Sequence, residues 1–198
     1  MNSNKYYTFL ITITLLALLL SCDSKKEITP QLEKEEILLS EVIIDETLNI
    51  SYQLPLNWDE MPASLSEKLV GRINKKGEDE FIVYNPKSYY YNNLNSSLLR
   101  IGEIKFQNNF KNDSLSIDTY SNLFQKYNND LEIDNSNIVN NNIRIRQMKI
   151  VKGNLLSFKF LFKNRNNEII QFDFSITNED YSITYPIIIA SIKSIKLL

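Results

Sequence analysis

The sequence predicts an α+β fold, an antiparallel sheet packed by two or three helices. Three observations point to it. Apolar and polar residues alternate along several short segments, other segments place apolar residues three and four apart, and Pro or Asn closes many of these runs. With 198 residues, 43% hydrophobic and 23% charged, the chain has material for one core but not comfortably for two.

Each element follows from its own pattern. From Glu41, Val42-Ile43-Ile44 reads as a strand and Asp45-Glu46-Thr47 as a turn. Leu48 to Leu54 reads as a second strand, with Leu48, Ile50, Tyr52 and Leu54 on one buried face. Pro55 ends it by withdrawing a backbone donor, and Trp58 lies just beyond. Ser64 to Ile73 spaces Leu65, Leu69 and Ile73 four apart, which predicts a short amphipathic helix capped by Ser64 and weakened at its end by Gly71. Phe81 to Tyr84 reads as a strand stopped at Asn85-Pro86, and Lys87 to Ser97 as a loop rich in Tyr and Asn. Leu98 to Phe106 reads as a strand with a bulge at Gly102. Ser116 caps the best-marked helix, in which Ile117, Tyr120, Leu123, Phe124 and Tyr127 line one side before Asn128-Asn129. An Asn-rich connection leads to three strands, Ile143 to Val151, Leu155 to Phe162 and Ile169 to Ile176. In the last two, Phe158, Phe160 and Phe162 and then Ile170, Phe172, Phe174 and Ile176 form facing rows of a meander with one side on a core. A short strand at Tyr181-Ser182-Ile183 precedes a last helix, capped by Thr184, with Pro186 in its first turn and Ile188, Ile189, Ile192 and Ile195 facing the sheet.

The first 22 residues have the anatomy of an export signal, with Lys5 as the only charge, an apolar stretch from Tyr6 to Leu20, and then Ser21-Cys22. That stretch, about 15 residues, is short of the roughly 20 that cross a bilayer. Leu18-Leu19-Leu20-Ser21-Cys22 resembles the bacterial lipobox, in which a small residue precedes a Cys that is acylated and becomes the first residue after cleavage. The resemblance implies a signal peptide over 1–21, a lipidated Cys22 and tether over 22–40, and a single α+β domain over 41–198. The tether mixes Lys25, Lys26 and Lys34 with Glu27, Glu33, Glu35 and Glu36. Two or more acyl chains hold a protein on a membrane where one does so only reversibly. The expected location is the bacterial cell envelope, lipid-anchored at the outer membrane, with the periplasmic and surface faces both open. Lipoproteins of the Bacteroidetes are similar in placing acidic residues after Ser-Cys.

Composition excludes several chemistries. With no His, the Ser-His-Asp and Cys-His triads and any imidazole-ligated zinc or iron are impossible, and a single Cys makes no internal disulfide. Four Gly form neither a Walker loop nor a dinucleotide fingerprint, and Ser-x-x-Lys occurs nowhere. The net charge of −2 argues against nucleic acid as a partner.

The remaining candidates are few. Asp130, Glu132 and Asp134 begin like a calcium loop, but Asn135 stands where Gly is needed and Asn141 where Glu is needed, so they read as the wet face of a strand. Arg144, Arg146, Lys149 and Lys152 read as a solvated strand face, with contact to an anionic sugar or lipid head group as the alternative. Tyr84, Tyr89, Tyr90 and Tyr91 form the candidate binding surface, where the rings either meet a sugar or protein or fold back and bury themselves. Asp59, Glu60, Asp113 and Asp173 are the carboxylates from which a glycosidic hydrolase pair would have to be drawn. Asp113-Ser114-Leu115 also resembles an O-glycosylation acceptor of the Bacteroidetes.

The order of elements resembles the PsbP-like family. The resemblance is carried by Leu54-Pro55-Leu56-Asn57-Trp58 after an early strand, the helix Ile117 to Tyr127, the strands from Ile143 to Ile176, and the ending Ile189-Ala190-Ser191-Ile192-Lys193-Ser194-Ile195. It implies a layered sandwich and a binding or assembly role rather than catalysis, and it places no functional residue. The expectation is a non-catalytic, membrane-anchored envelope lipoprotein, an accessory subunit with an envelope protein partner and no cofactor, metal or nucleic acid. The alternatives are a small-ligand or glycan-binding module and, after it, a carboxylate hydrolase.

Overall fold

In chain order the elements are β1 (Leu39–Asp45), β2 (Ile50–Pro55), β3 (Asp59–Glu60), α1 (Ala63–Asn74), β4 (Ile82–Asn92), β5 (Ser97–Phe106) and α2 (Ile117–Tyr127). They continue with β6 (Glu132–Asn140), β7 (Ile143–Lys152), β8 (Leu155–Lys163), β9 (Ile169–Thr177), α3 (Tyr181–Lys193) and β10 (Lys196–Leu197). The structure is a computed structural model that describes residues 39–74, 82–106 and 116–198. The signal peptide, Cys22, the tether up to residue 38, Phe81, and Asp113-Ser114-Leu115 lie outside the described residues, as do the side chains of Leu69 and Ile73.

All strand pairs are antiparallel. A three-stranded sheet runs β1-β2-β10, and a seven-stranded sheet runs β3-β4-β5-β9-β8-β7-β6. The two aromatic rows fall in register, with Phe158 opposite Phe174, Phe160 opposite Phe172 and Phe162 opposite Ile170. These rings, with Leu99, Ile101, Ile143 and Ile145, make the first face of the large sheet. Against it pack Leu48, Ile50, Tyr52 and Leu54 of the small sheet and its turn, Trp58, and Ile188, Ile192 and Ile195 at the C-terminal end. Edge-to-face contacts of Tyr52 on Phe172 (5.2 Å) and Trp58 on Phe174 (5.6 Å) join the layers. Helix α3 also completes the small sheet's hydrogen bonding. Ser191 Oγ donates to the Gln53 carbonyl, and the Gln53 amide donates to Ser194 Oγ at 2.8 Å. Gln53 lies beyond the short β10, so two serines stand in for a missing strand.

The second face is covered in part by α2, where Tyr120, with Ile117 and Phe124, meets Met148, Leu161, Ile104 and Ile169. Ser116 caps this helix as expected, its Oγ accepting from the Thr119 amide at 2.9 Å. Tyr127, expected on the same apolar side, is exposed.

Four expectations need correction. Pro86 does not stop its strand: β4 continues to Asn92, and the predicted loop shrinks to the turn at 93–96. Lys87 is bulged out between the Pro86–Gly102 and Ser88–Ile101 pairs. Pro is tolerated because β3 pairs only with Tyr90 and Tyr91, leaving Pro86 without a described neighbour on its other side. Asn92 Oδ1 and Asn95 Oδ1 accept from the Leu94 and Ser97 amides and tighten the turn. The Asn-rich connection is largely an edge strand, β6; Glu132 and Asp134 are exposed on it, on the wet strand face their alternation predicts, while Asp130 lies in the turn before it. The start of α3 lies at Tyr181, where a strand was expected, because Thr177 Oγ1 and Asp180 pair with each other and turn the chain one helical turn early. Pro186 therefore sits inside the helix, and Thr184 is a buried helical residue rather than a cap. The helix over Ser64 to Ile73 is present, but it begins at Ala63 and Leu65 is exposed.

Candidate functional site

Alternation puts Gln171 and Asp173 of β9, Ser157 and Lys159 of β8, and Arg100 of β5 on the second face. Asp173 has no exposed surface. It accepts from Lys159 Nζ at 3.0 Å, from Ser157 Oγ at 3.1 Å and from Arg100 Nη2, so both carboxylate oxygens are engaged. Burial pushes the Asp173 carboxyl up, but the Lys159 and Arg100 charges and the donated bonds outweigh it and hold it below its ordinary value. Lys159 also lies over the Phe124 ring at 5.3 Å, and Arg100 over Tyr84 at 5.8 Å. Tyr120 donates to Gln171 Oε1 at 3.0 Å, and Tyr84 donates to the Gln171 carbonyl at 3.3 Å. Burial pushes the Tyr84 phenol well up, so it remains a donor.

The four tyrosines separate accordingly. Tyr84 and Tyr89 lie on the second face near Arg100, whereas Tyr90 lies on the first and shares a hydrogen bond with Tyr52 at 3.1 Å. Tyr89 and Tyr90 are buried and Tyr91 is half-buried. The candidate binding surface is thus a strand with most of its rings folded inward, the second of the two readings its sequence left open. Among the described residues, Tyr89 Oη, Arg100 Nε and Gln171 Nε2 are buried without a hydrogen-bond partner.

The basic series is also divided. Arg144, Arg146 and Lys152 share the second face, while Lys149 points to the first, over the Tyr181 ring at 5.1 Å. Arg144 and Arg146 line an open groove of about 590 Å³ with Lys163, Asn137 and the first residues of α2, Ile117 and Asp118. Asp118 accepts from Arg146 at 2.5 Å, and Lys163 Nζ donates to Asn167 Oδ1 at 2.8 Å. Arg144 is exposed. The groove therefore presents cations and amides to an acceptor-rich ligand or surface. Arg144 and Arg146 were visible in the sequence as neighbours on one strand face. Lys163 was not, because it arrives through the β7–β8 pairing.

The hydrolase carboxylates do not assemble into a described pair. Asp59 and Glu60 are exposed on β3, Asp173 is wholly buried in its ion pairs, and Asp113 lies outside the described residues. Among the described residues no three carboxylate or cysteine side chains gather as they would around a metal.

The architecture is similar to the solution structure of cyanobacterial PsbP (CyanoP) from Synechocystis sp. PCC 6803. The match has a TM-score of 0.50 at 11% identity and covers 82% of this chain and 94% of that one. The fold is therefore α+β and PsbP-like, and at that identity the likeness speaks for fold alone. No protein-family model matches the chain, and no curated protein matches it in sequence.

Proposed function

We propose that this chain is a lipid-anchored, non-catalytic accessory protein of the bacterial outer membrane that presents one binding domain to an envelope protein. The observation that carries the reading is Cys22, the chain's only Cys, directly behind an apolar run and a small residue. The ion pairs of Asp173 with Lys159 and Arg100 commit that carboxylate to holding the sheet, so it is not the group that a hydrolase reading could use to move a proton. In cells fed labelled palmitate, the wild-type protein is expected to carry label and pellet with membranes, and Cys22→Ala to do neither. Continued labelling of the variant overturns the reading.

The groove beside α2 is the surface through which the domain engages its partner in this reading. The same groove favours a second one, in which the ligand is an anionic small molecule or glycan held by Arg144, Arg146 and Lys163. The two separate on whether a photo-reactive residue at Val139, on the groove wall, captures one protein in intact cells.

A further inference from the structure

We infer that the domain rests on the bilayer through the end of the sandwich at which the chain enters it, with Leu56, Leu94, Leu155 and Ile183 against the lipid surface. The inference rests on the anchored reading of Cys22. Strand registers bring these residues to one end. β1 begins at Leu39, opposite Pro55 at the end of β2, and Leu56 follows. Trp58 then packs on Phe174, and Asp59 pairs with Tyr91 beside the turn that carries Leu94. Asn95 of that turn reaches Thr184 at 3.4 Å, next to Ile183 in the first turn of α3. Leu155 lies opposite Thr177, where β9 gives way to α3. Leu94 is 83% exposed and Ile183 72%, with Leu56 and Leu155 about half as much.

The occupant follows from where the chain comes from. Residues 23–38 join Cys22 to Leu39, and fully stretched they reach at most about 60 Å. A domain of this size is roughly 40 Å across. For the far end to touch lipid, the joining segment must run along most of the domain in a stretched form, whereas the near end touches with many conformations open to it. Tethering turns a weak apolar contact into an intramolecular one, so a few exposed side chains suffice where they would not hold a free protein. Asp59, Glu60 and Glu179 are exposed at the same end and outnumber the exposed Lys152, which stands opposite Leu155, and this balance fits a zwitterionic rather than an anionic surface.

The test uses the acylated full chain, purified from membranes and reconstituted in phosphatidylethanolamine–phosphatidylcholine vesicles carrying a lipid-bound quencher. An environment-sensitive fluorophore is attached in turn to Leu94→Cys, Ile183→Cys and Ile44→Cys, the last an exposed site at the opposite end of β1. Sedimentation with the vesicles reports the anchor, and quenching within the sedimented fraction reports the contact. The expected result is sedimentation with quenching several-fold stronger at 94 and 183 than at 44. Sedimentation with equal or absent quenching overturns the contact alone, and failure to sediment overturns the anchored reading and the contact with it.

Discussion

Asp173 belongs to an alternating strand whose other members are Ile170, Phe172, Phe174 and Ile176, so its side chain reads from sequence as solvent-facing. Around β9 the sheet instead buries both faces, and the residue survives because Lys159 and Arg100 are delivered beside it by the strands on either side. No local pattern announces that pairing, since each partner comes from a different strand. Asp173→Asn leaves two cations without their anion, and the expected loss is about 3–5 kcal/mol at neutral pH, measured by urea unfolding. The pH dependence has a definite sign. An acid held below its ordinary value stabilises the fold above its unfolded pKa, about 3.9, and that contribution is lost as pH falls through the lower folded value. Tyr52 acts at the other limb. Burial, with the Tyr90 hydroxyl, pushes its phenol far up, so its contribution is present below about pH 10 and lost as pH rises beyond it. Stability is expected to be flat between these limbs, and the acid limb to be shallower in Asp173→Asn. An unchanged acid limb in that variant removes Asp173 from the account.

Elements whose signals are local could be read directly. The helix over Ile117 to Tyr127 needs only its Ser116 cap and its own spacing, and the strands β8 and β9 need only their alternation. β4 was misread because what lets it continue past Pro86 lies on another strand. At Gly102, opposite Pro86, a Cβ would stand 2.2 Å from the Asn85 carbonyl oxygen and 2.5 Å from the Pro86 Cα. The obstruction is backbone, which cannot rotate away, so the glycine permits the close approach that seats the bulge. The glycine marks the bulge, but the extra residue is Lys87 on the facing strand. Gly102→Ala is expected to lower stability by at least about 1–3 kcal/mol, the usual range for overpacking, with loss of the β4–β5 pairing near Pro86. Amide exchange checks it, because protection should fall first around residues 84–86 and 102–104. The start of α3 is the exception: its signal is local, the Thr177–Asp180 pair three residues apart, and it opens the helix a turn ahead of Pro186.

At the scale of the whole molecule, the domain has two unlike ends along the strands. One takes in the chain at Leu39 and exposes Leu94 and Ile183; the other carries the β6–β7 turn, Arg144 and Lys163. The arrangement sets the basic groove away from the end that the anchored reading turns to the bilayer, where a second envelope protein has room to reach it. Charge alone does not make the argument, because the chain is acidic overall and its cations are spread widely. Position does, and β7 offers an internal control. Arg144 and Lys152 are both exposed, on the same strand and the same face, and only Arg144 borders the groove. Arg144→Glu and Lys152→Glu make the same change in net charge, and as exposed substitutions each should shift stability by no more than about 0.5 kcal/mol. Arg146 is a poorer probe because its bond to Asp118 ties the groove wall to α2, so its loss mixes structure with binding. Capture from Val139 in cells is expected to fall several-fold in Arg144→Glu and to hold in Lys152→Glu. Equal losses would mean that a diffuse field rather than the groove is recognised, and no loss in either would remove the groove from the interface.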